Sequence, residues 1–298
     1  METGSSLDAG TGTIDIDGAN VLTRSLTTTN GTASAITIDA HNGNVVTRDN
    51  GVNALGDITV NATGSITLED NGVNTGEGGS VNVQADGDVI STGSGIDTTN
   101  GAAAGGNIAV TSTAGQVDLS NGSLLTGDGG SITVNAVTGF TTLNTSLDTT
   151  AGTGGGSVEA NVSNGTMSIT GGDATVNGAG SILLTAKGAT SDIQLDTNLT
   201  SADGSITLLA DNDITLSSTT SILSQASGSI TLTADNDGSN VGSITMDSGS
   251  RVESQGGQIQ IRARKASRLP CLTPLVNGVP YVYTVPPKKR CSLFAAVQ

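Results

Sequence analysis

The sequence has very few of the residues on which an ordinary globular core depends. Aromatic residues make up 1% of its 298 residues, and tryptophan is absent. A compact domain of this length normally gains much of its buried area from large aromatic side chains. The composition therefore argues against one large globular domain and favours a narrow interior filled by stacked aliphatic side chains.

Basic residues are also scarce in most of the chain. The segment before Arg262 has four basic and 27 acidic residues and so a net charge of −23, whereas the segment from Arg262 onward carries +7 and no acidic residue. Nucleic-acid binding requires clustered Lys and Arg, so the acidic segment argues against a nucleic-acid partner.

Long apolar runs are missing as well. No run approaches the roughly 20 apolar residues that a membrane helix needs, so no transmembrane segment is predicted. Met1 is followed by a polar stretch rather than by a basic and then apolar signal, so any secretion signal would lie outside this sequence. The two cysteines, Cys271 and Cys291, lie in the basic tail; they could pair in a secreted protein, but two cysteines have no diagnostic spacing.

Glycine and a repeated phrase are what the sequence has instead. The phrase Gly-Ser-Ile-Thr-Leu-x-Ala has clear copies at residues 56–62, 130–136, 204–210 and 228–234. Its apolar residues alternate with small polar ones, which indicates a short strand with one buried face. The glycines at the corners are expected to supply the positive φ of tight turns.

The copies recur at a nearly constant interval. Aligned on their first residue, they are anchored at Gly12, Ser34, Gly56, Gly79, Gly106, Gly130, Gly156, Gly180, Gly204, Gly228 and Gly257. The ten intervals cover 245 residues, a mean of 24.5, which is in the range of stacked structural repeats. Two weaker strand phrases follow each anchor, for example Ile214-Thr215-Leu216 and Ile222-Leu223-Ser224.

This pattern predicts an all-β fold, a right-handed parallel β-helix with three short strands in each coil of about 24 residues. Residues 1–263 would form ten to eleven coils and a rod about 48 Å long, because stacked strands lie about 4.8 Å apart. Residues 264–298 hold all five prolines and are predicted to be a tail or a cap over the last coil, with disorder as the alternative.

The Gly-Ser-Ile-Thr-Leu-x-Ala phrases, the Asp-Ile-Thr-Leu at 213–216 and the three-strand coil resemble the repeat region of the filamentous-haemagglutinin family. These are large bacterial exoproteins and adhesins exported by two-partner secretion or related routes. The resemblance covers residues 12–263 and implies a β-helix, an outer-membrane secretion partner, a place outside the cell or on its surface, and a role in attachment, biofilm formation or haem acquisition. It also implies that the chain is a fragment of a longer exoprotein.

The predicted function is a structural or adhesive stalk, with glycans or proteins of host cells or other surfaces as candidate partners. A β-helical polysaccharide lyase or hydrolase is the alternative, and an ice-binding β-solenoid is the third. The preferred interpretation is not an enzyme: catalytic residues are not assigned and no cofactor or metal is predicted, with calcium as the alternative. His41, the single histidine, is interpreted as a turn residue because Asn42-Gly43 follows it.

Four carboxylates are the candidate calcium ligands. Asp211, Asp213, Asp235 and Asp237 lie in two similar turns one coil apart, so a cation could bridge them. Asp also favours turns for its own hydrogen bonding, which is the simpler interpretation. For ice binding, the outward column that contains Thr133, Thr207 and Thr231 is expected to be interrupted, at Asn82, Ala109, Glu159 and Leu183.

Overall fold

The computed structural model describes residues 6–76, 78–93, 95–100, 105–151, 154–263 and 281–284. This part of the chain consists of strands joined by turns and short loops, and it contains no helix. Its strands form three sheets that run side by side along the stack of coils. The predicted all-β solenoid with three strands per coil is therefore confirmed.

The first sheet has eleven parallel strands, the second has ten, and the third has twelve, of which the last is antiparallel. The strands of the first sheet are Ile14–Gly18, Ile36–Ala40, Ile58–Ala62, Val81–Ala85, Ile108–Ser112, Ile132–Ala136, Val158–Val162, Ile182–Ala186, Ile206–Ala210, Ile230–Thr233 and Ile259–Arg262. Those of the second sheet are Val21–Thr23, Val45–Thr47, Ile66–Glu69, Val89–Thr92, Gln116–Ser120, Gly139–Leu143, Thr166–Thr170, Ile193–Asp196, Ile214–Leu216 and Ile244–Met246. Those of the third sheet are Ser6–Asp8, Ser25–Thr27, Val52–Ala54, Val73–Gly76, Ile96–Asn100, Ser123–Leu125, Ser146–Thr149, Ala174–Val176, Leu199–Ser201, Ser221–Ser224, Arg251–Ser254 and Tyr281–Thr284.

The repeat anchors locate the first sheet. Each of its eleven strands begins two residues after a predicted anchor, from Ile14 after Gly12 to Ile259 after Gly257. The right-handed winding stays a prediction, based on the strong general preference for right-handed connections between parallel strands.

The interior is a stack of aliphatic columns. In the strand Ile58–Ala62, for example, Ile58, Val60 and Ala62 are buried while Thr59 and Asn61 are half-buried on the outer side. The strand stacks in register on Ile36–Ala40 and Val81–Ala85, so Ile58 contacts the equivalent Ile36 and Val81. Stacking is what removes these side chains from water, because one coil alone could not bury them.

A ladder of side-chain hydrogen bonds holds the corner before the first sheet. In several coils, the residue after the anchor glycine accepts a hydrogen bond from the backbone N–H of the equivalent residue one coil later. Ser80 donates its N–H to Asp57 (2.7 Å), Asn107 to Ser80 (3.1 Å) and Ser131 to Asn107 (2.9 Å). The polar residue in the Gly-Ser phrase therefore satisfies a backbone group that the turn would otherwise leave unpaired.

The anchor glycines are needed for close stacking, whereas the positive φ of the tight turns is supplied by other residues. Gly156 and Gly180 do not have positive φ, but a Cβ on either would collide with the carbonyl oxygen of the glycine one coil below. The predicted positive φ is confirmed at turn glycines such as Gly51 and Gly72, and it also occurs at Asn121.

Buried hydroxyls bind the carbonyl oxygens of the same glycines. Thr126 donates to Gly130 at 2.8 Å and Thr149 to Gly156 at 3.0 Å, while Ser201 donates to Gly180 at 2.9 Å. These hydroxyls follow or end the strands of the third sheet and are fully buried. A buried carbonyl at this crowded corner therefore gains a hydrogen-bond partner from a side chain.

The predicted C-terminal tail contributes one described strand. Tyr281–Thr284 pairs antiparallel with Arg251–Ser254 at the end of the third sheet. The remainder of the predicted tail, with Cys271 and Cys291, lies outside the described residues.

Candidate functional site: the acidic corner and the neutral panel

The four predicted calcium ligands lie at one corner, between the first and second sheets. Asp211 and Asp213 occupy a short turn after Ile206–Ala210, and Asp235 and Asp237 lie in the longer loop that follows Ile230–Thr233. Asp211 and Asp235 are buried, whereas Asp237 is exposed.

Hydrogen bonds within the corner occupy these carboxylates. Asp211 accepts from the N–H of Gly188 (2.7 Å) and the side-chain amide of Asn236 (3.3 Å). Asp213 accepts from both the N–H (2.7 Å) and the hydroxyl (2.8 Å) of Ser243. Asp211 thus ties its own short turn to the longer loops of the coils before and after it.

Within its own loop, Asp235 accepts from the hydroxyl of Ser239 (3.0 Å) and the N–H of Asn240 (2.6 Å). Asp237 accepts from the N–H of Ser239 at 3.0 Å. Across the described part of the chain, no three His, Cys, Asp or Glu side chains converge in a way that could hold a metal ion. The calcium hypothesis therefore gains no support from the geometry of this corner.

A second group of ionisable residues was not predicted from the sequence. Asp15, Asp17 and Asp39 project from the outer face of the first two strands of the first sheet, where Asp17 and Asp39 are in register. The exposed Nδ1 of His41 lies 2.7 Å from the Oδ1 of Asp17. His41 does lie in a turn, as predicted, but it also contacts a carboxylate 24 residues earlier in the chain.

The outer face of the first sheet has two columns of side chains along the rod. The predicted interruptions are present: Asn82 is paired with Ala109, Thr133 with Glu159, and Leu183 with Thr207. A continuous threonine array, which ice binding would require, is therefore broken at several coils.

One stretch of this face is uncharged over four successive coils. We call it the neutral panel, and it consists of Thr59, Asn61, Asn82, Gln84, Ala109, Thr111, Thr133 and Asn135. Acidic side chains bound it at both ends, Asp39 in the coil before and Glu159 in the coil after. All of its side chains are half-buried except that of Gln84, which is exposed.

Two exposed corner carboxylates have perturbed acidity. The hydroxyls of Ser217 and Thr219 donate to Asp196 and lower its pKa, since they stabilise the charged form. The hydroxyl and N–H of Ser227 lower the pKa of Asp203 in the same way. These shifts come from bonds between adjacent coils and so report on stacking rather than on a reactive site.

Comparisons with protein families, with curated proteins and with solved structures find no match for this chain. None of the residues that the structure describes forms a helix able to cross a membrane. The class of protein that the geometry defines is thus a three-sheet parallel β-solenoid.

Proposed function

We propose that this chain is a structural and adhesive stalk segment of a secreted or surface-displayed bacterial exoprotein. The observation that carries the proposal is the uninterrupted stack, in which eleven first-sheet strands follow one another in register. A rod of this kind places its two ends tens of ångströms apart and presents long flat faces to a partner. Attachment at a distance is a use that fits such a shape.

The resemblance to filamentous-haemagglutinin repeats supports the same proposal. It would place the protein outside the cell, exported through an outer-membrane partner. The acidic body keeps such a rod soluble and separated from its copies through charge repulsion.

Adhesion is tested by measuring binding of the labelled full chain to epithelial cells and to abiotic surfaces, with circular dichroism as the check on folding. Saturable binding is the expected result. A chain that retains its β-rich spectrum and binds nothing would refute the adhesive role and leave only that of a spacer.

One observation favours the alternative, a polysaccharide-cleaving enzyme. Asp17 and Asp39 are carboxylates in register on one outer face, and His41 contacts the first of them. Paired carboxylates are the groups with which glycosidases cleave a sugar chain. Release of reducing ends from a polysaccharide panel, lost in Asp17→Asn and Asp39→Asn, would support this alternative over the stalk.

A further inference from the structure

The neutral panel differs from the corners, and from the Asn53–Asn74 pair of the third sheet, in how its hydrogen-bonding side chains are used. At the corners, side-chain oxygens are occupied by the backbone of the next coil, as for Asp57 and Ser80. On the outer face of the third sheet, the amide of Asn74 bonds to Asn53 at 3.0 Å. These groups stabilise the fold and have little capacity left for a ligand.

Most side chains of the panel, by contrast, have no hydrogen-bond partner within the protein. Within the described part of the chain, six of the eight panel side chains have polar groups that make no hydrogen bond to the protein. They are Thr59, Asn61, Asn82, Gln84, Thr111 and Thr133. Asn135 accepts one hydrogen bond, from Asn161 at 3.1 Å. The panel therefore offers hydroxyls and primary amides, which donate and accept, directly to the solvent side.

The stacking of the coils fixes the spacing of these groups. Asn61 is in register with Gln84, Gln84 with Thr111, and Thr111 with Asn135. Each step along the column is about 4.8 Å, so the panel spans about 14 Å along the rod axis. Its rigid backbone spares a ligand the entropy cost of ordering the site.

The uncharged panel and the acidic residues around it limit the class of ligand that can bind. The panel itself carries none, while Asp39, Asp57 and Asp86 lie at its end and along its two edges. A polyanion would be repelled by this rim, and a second copy of the chain would bring an identical acidic rim with it. A neutral, hydroxyl-rich ligand faces neither penalty and matches the donors and acceptors of the panel.

We infer that the neutral panel binds a neutral linear polysaccharide lying along the rod axis. The inference rests on the proposed adhesive function and names the class of ligand for it. Each sugar hydroxyl exchanges hydrogen bonds with the Thr and Asn/Gln columns, and affinity accumulates over successive coils. A short oligosaccharide that contacts one coil is therefore held more weakly than a longer segment that contacts all four, and a polymer that bridges several copies of the chain gains further avidity.

The experiment uses the full chain and two matched double variants. Thr111→Val with Thr133→Val removes two panel hydroxyls while retaining shape and strand preference. Thr175→Val with Thr200→Val makes the same change at two outward, register-paired positions of the third sheet. Binding is measured to neutral glucan and mannan oligosaccharides, to sulfated dextran and to the cells used above.

The expected result is saturable binding of a neutral glycan, weakened roughly tenfold by the panel variant and less than twofold by the third-sheet variant, as expected for two lost hydrogen bonds. Cell binding that no neutral glycan competes would overturn the inference and leave the adhesive function standing. Stronger binding of sulfated dextran, or equal losses in the two variants, would also overturn it. Absence of binding to both cells and glycans would refute both proposals.

Discussion

The solenoid contains buried threonines of two kinds, which predicts opposite effects of one substitution. Thr142 points inward from the second sheet between Leu119 and Ile169, is 1% exposed, and its hydroxyl has no hydrogen-bond partner within the described structure. Thr126 is 0% exposed, and its hydroxyl donates to the carbonyl oxygen of Gly130 at 2.8 Å. Valine has nearly the same volume as threonine and replaces the hydroxyl by a methyl group.

The magnitudes follow from hydrogen bonding. A buried hydroxyl without a partner costs about 1–3 kcal/mol, so Thr142→Val is expected to stabilise the protein by about 1 kcal/mol or more. Loss of a hydrogen bond costs about 0.5–1.5 kcal/mol, so Thr126→Val is expected to destabilise it by about 1 kcal/mol. Since 1 kcal/mol shifts the unfolding midpoint of a protein this large by roughly 2–4 °C, both changes are measurable.

The assay is thermal unfolding followed by far-ultraviolet circular dichroism, with the wild type and both variants heated at one scan rate. Hydrogen exchange at the strand Gly139–Leu143 checks that the stabilisation is local to the substituted coil. A lower midpoint for Thr142→Val would refute the reasoning, since it would mean that the hydroxyl contributes favourable contacts inside the stack. Equal midpoints for the two variants would refute it as well.

Three further predictions concern the corners. Gly156→Ala is expected to destabilise the protein by about 2–3 kcal/mol in urea unfolding because the new Cβ collides with the carbonyl of Gly130, whereas Gly18→Ala, with ordinary contacts at 3.4 Å, should cost far less. EDTA is expected to leave the thermal midpoint unchanged, since protein N–H and hydroxyl groups already donate to Asp211 and Asp213; a fall of several degrees would support the calcium hypothesis. Asp196 has a pKa below its ordinary value of 3.8 in the folded protein, so its charged form stabilises the fold above pH 3.8. That stabilisation is lost as the pH falls through the lower pKa of the folded state. Ser217→Ala removes the main cause of the shift and should therefore reduce the loss of stability in acid. If Ser217→Ala and the wild type lose stability equally as the pH falls, the Ser217 hydroxyl is not the cause of the lowered pKa of Asp196.

The corner ladders also bear on how the rod tolerates sequence change. The ladder contains three residue types in succession, Asp57, Ser80 and Asn107. Each supplies a side-chain oxygen that accepts a hydrogen bond from the backbone N–H one coil later. The requirement is for a short acceptor rather than for one residue type. Coils of 22 to 29 residues still keep the first-sheet strands in register, because the length differences fall outside those strands. In the third sheet, the register between Val73–Gly76 and Ile96–Asn100 shifts after Asn74.

The local pattern of the sequence determined the fold. Apolar residues at every second position assign an inner and an outer side to each strand, and the phrase after each anchor located all eleven first-sheet strands, from Ile14–Gly18 to Ile259–Arg262. The interruptions at Ala109 and Glu159 could be predicted too, since parallel register follows once the anchors are aligned.

Only the tertiary structure decided what the polar residues do. Their contacts depend on which residue of a neighbouring coil lies opposite. This is so for the contact of His41 with Asp17, for the hydrogen bond from Gly188 to Asp211, and for the Thr111 hydroxyl, which has no partner in the protein. Corner lengths vary from coil to coil, so the sequence does not show which polar side chains face one another there. The alternation that builds the core is a property of single strands, whereas hydrogen bonds between coils join residues some 20 to 30 positions apart and are settled only when the coils stack.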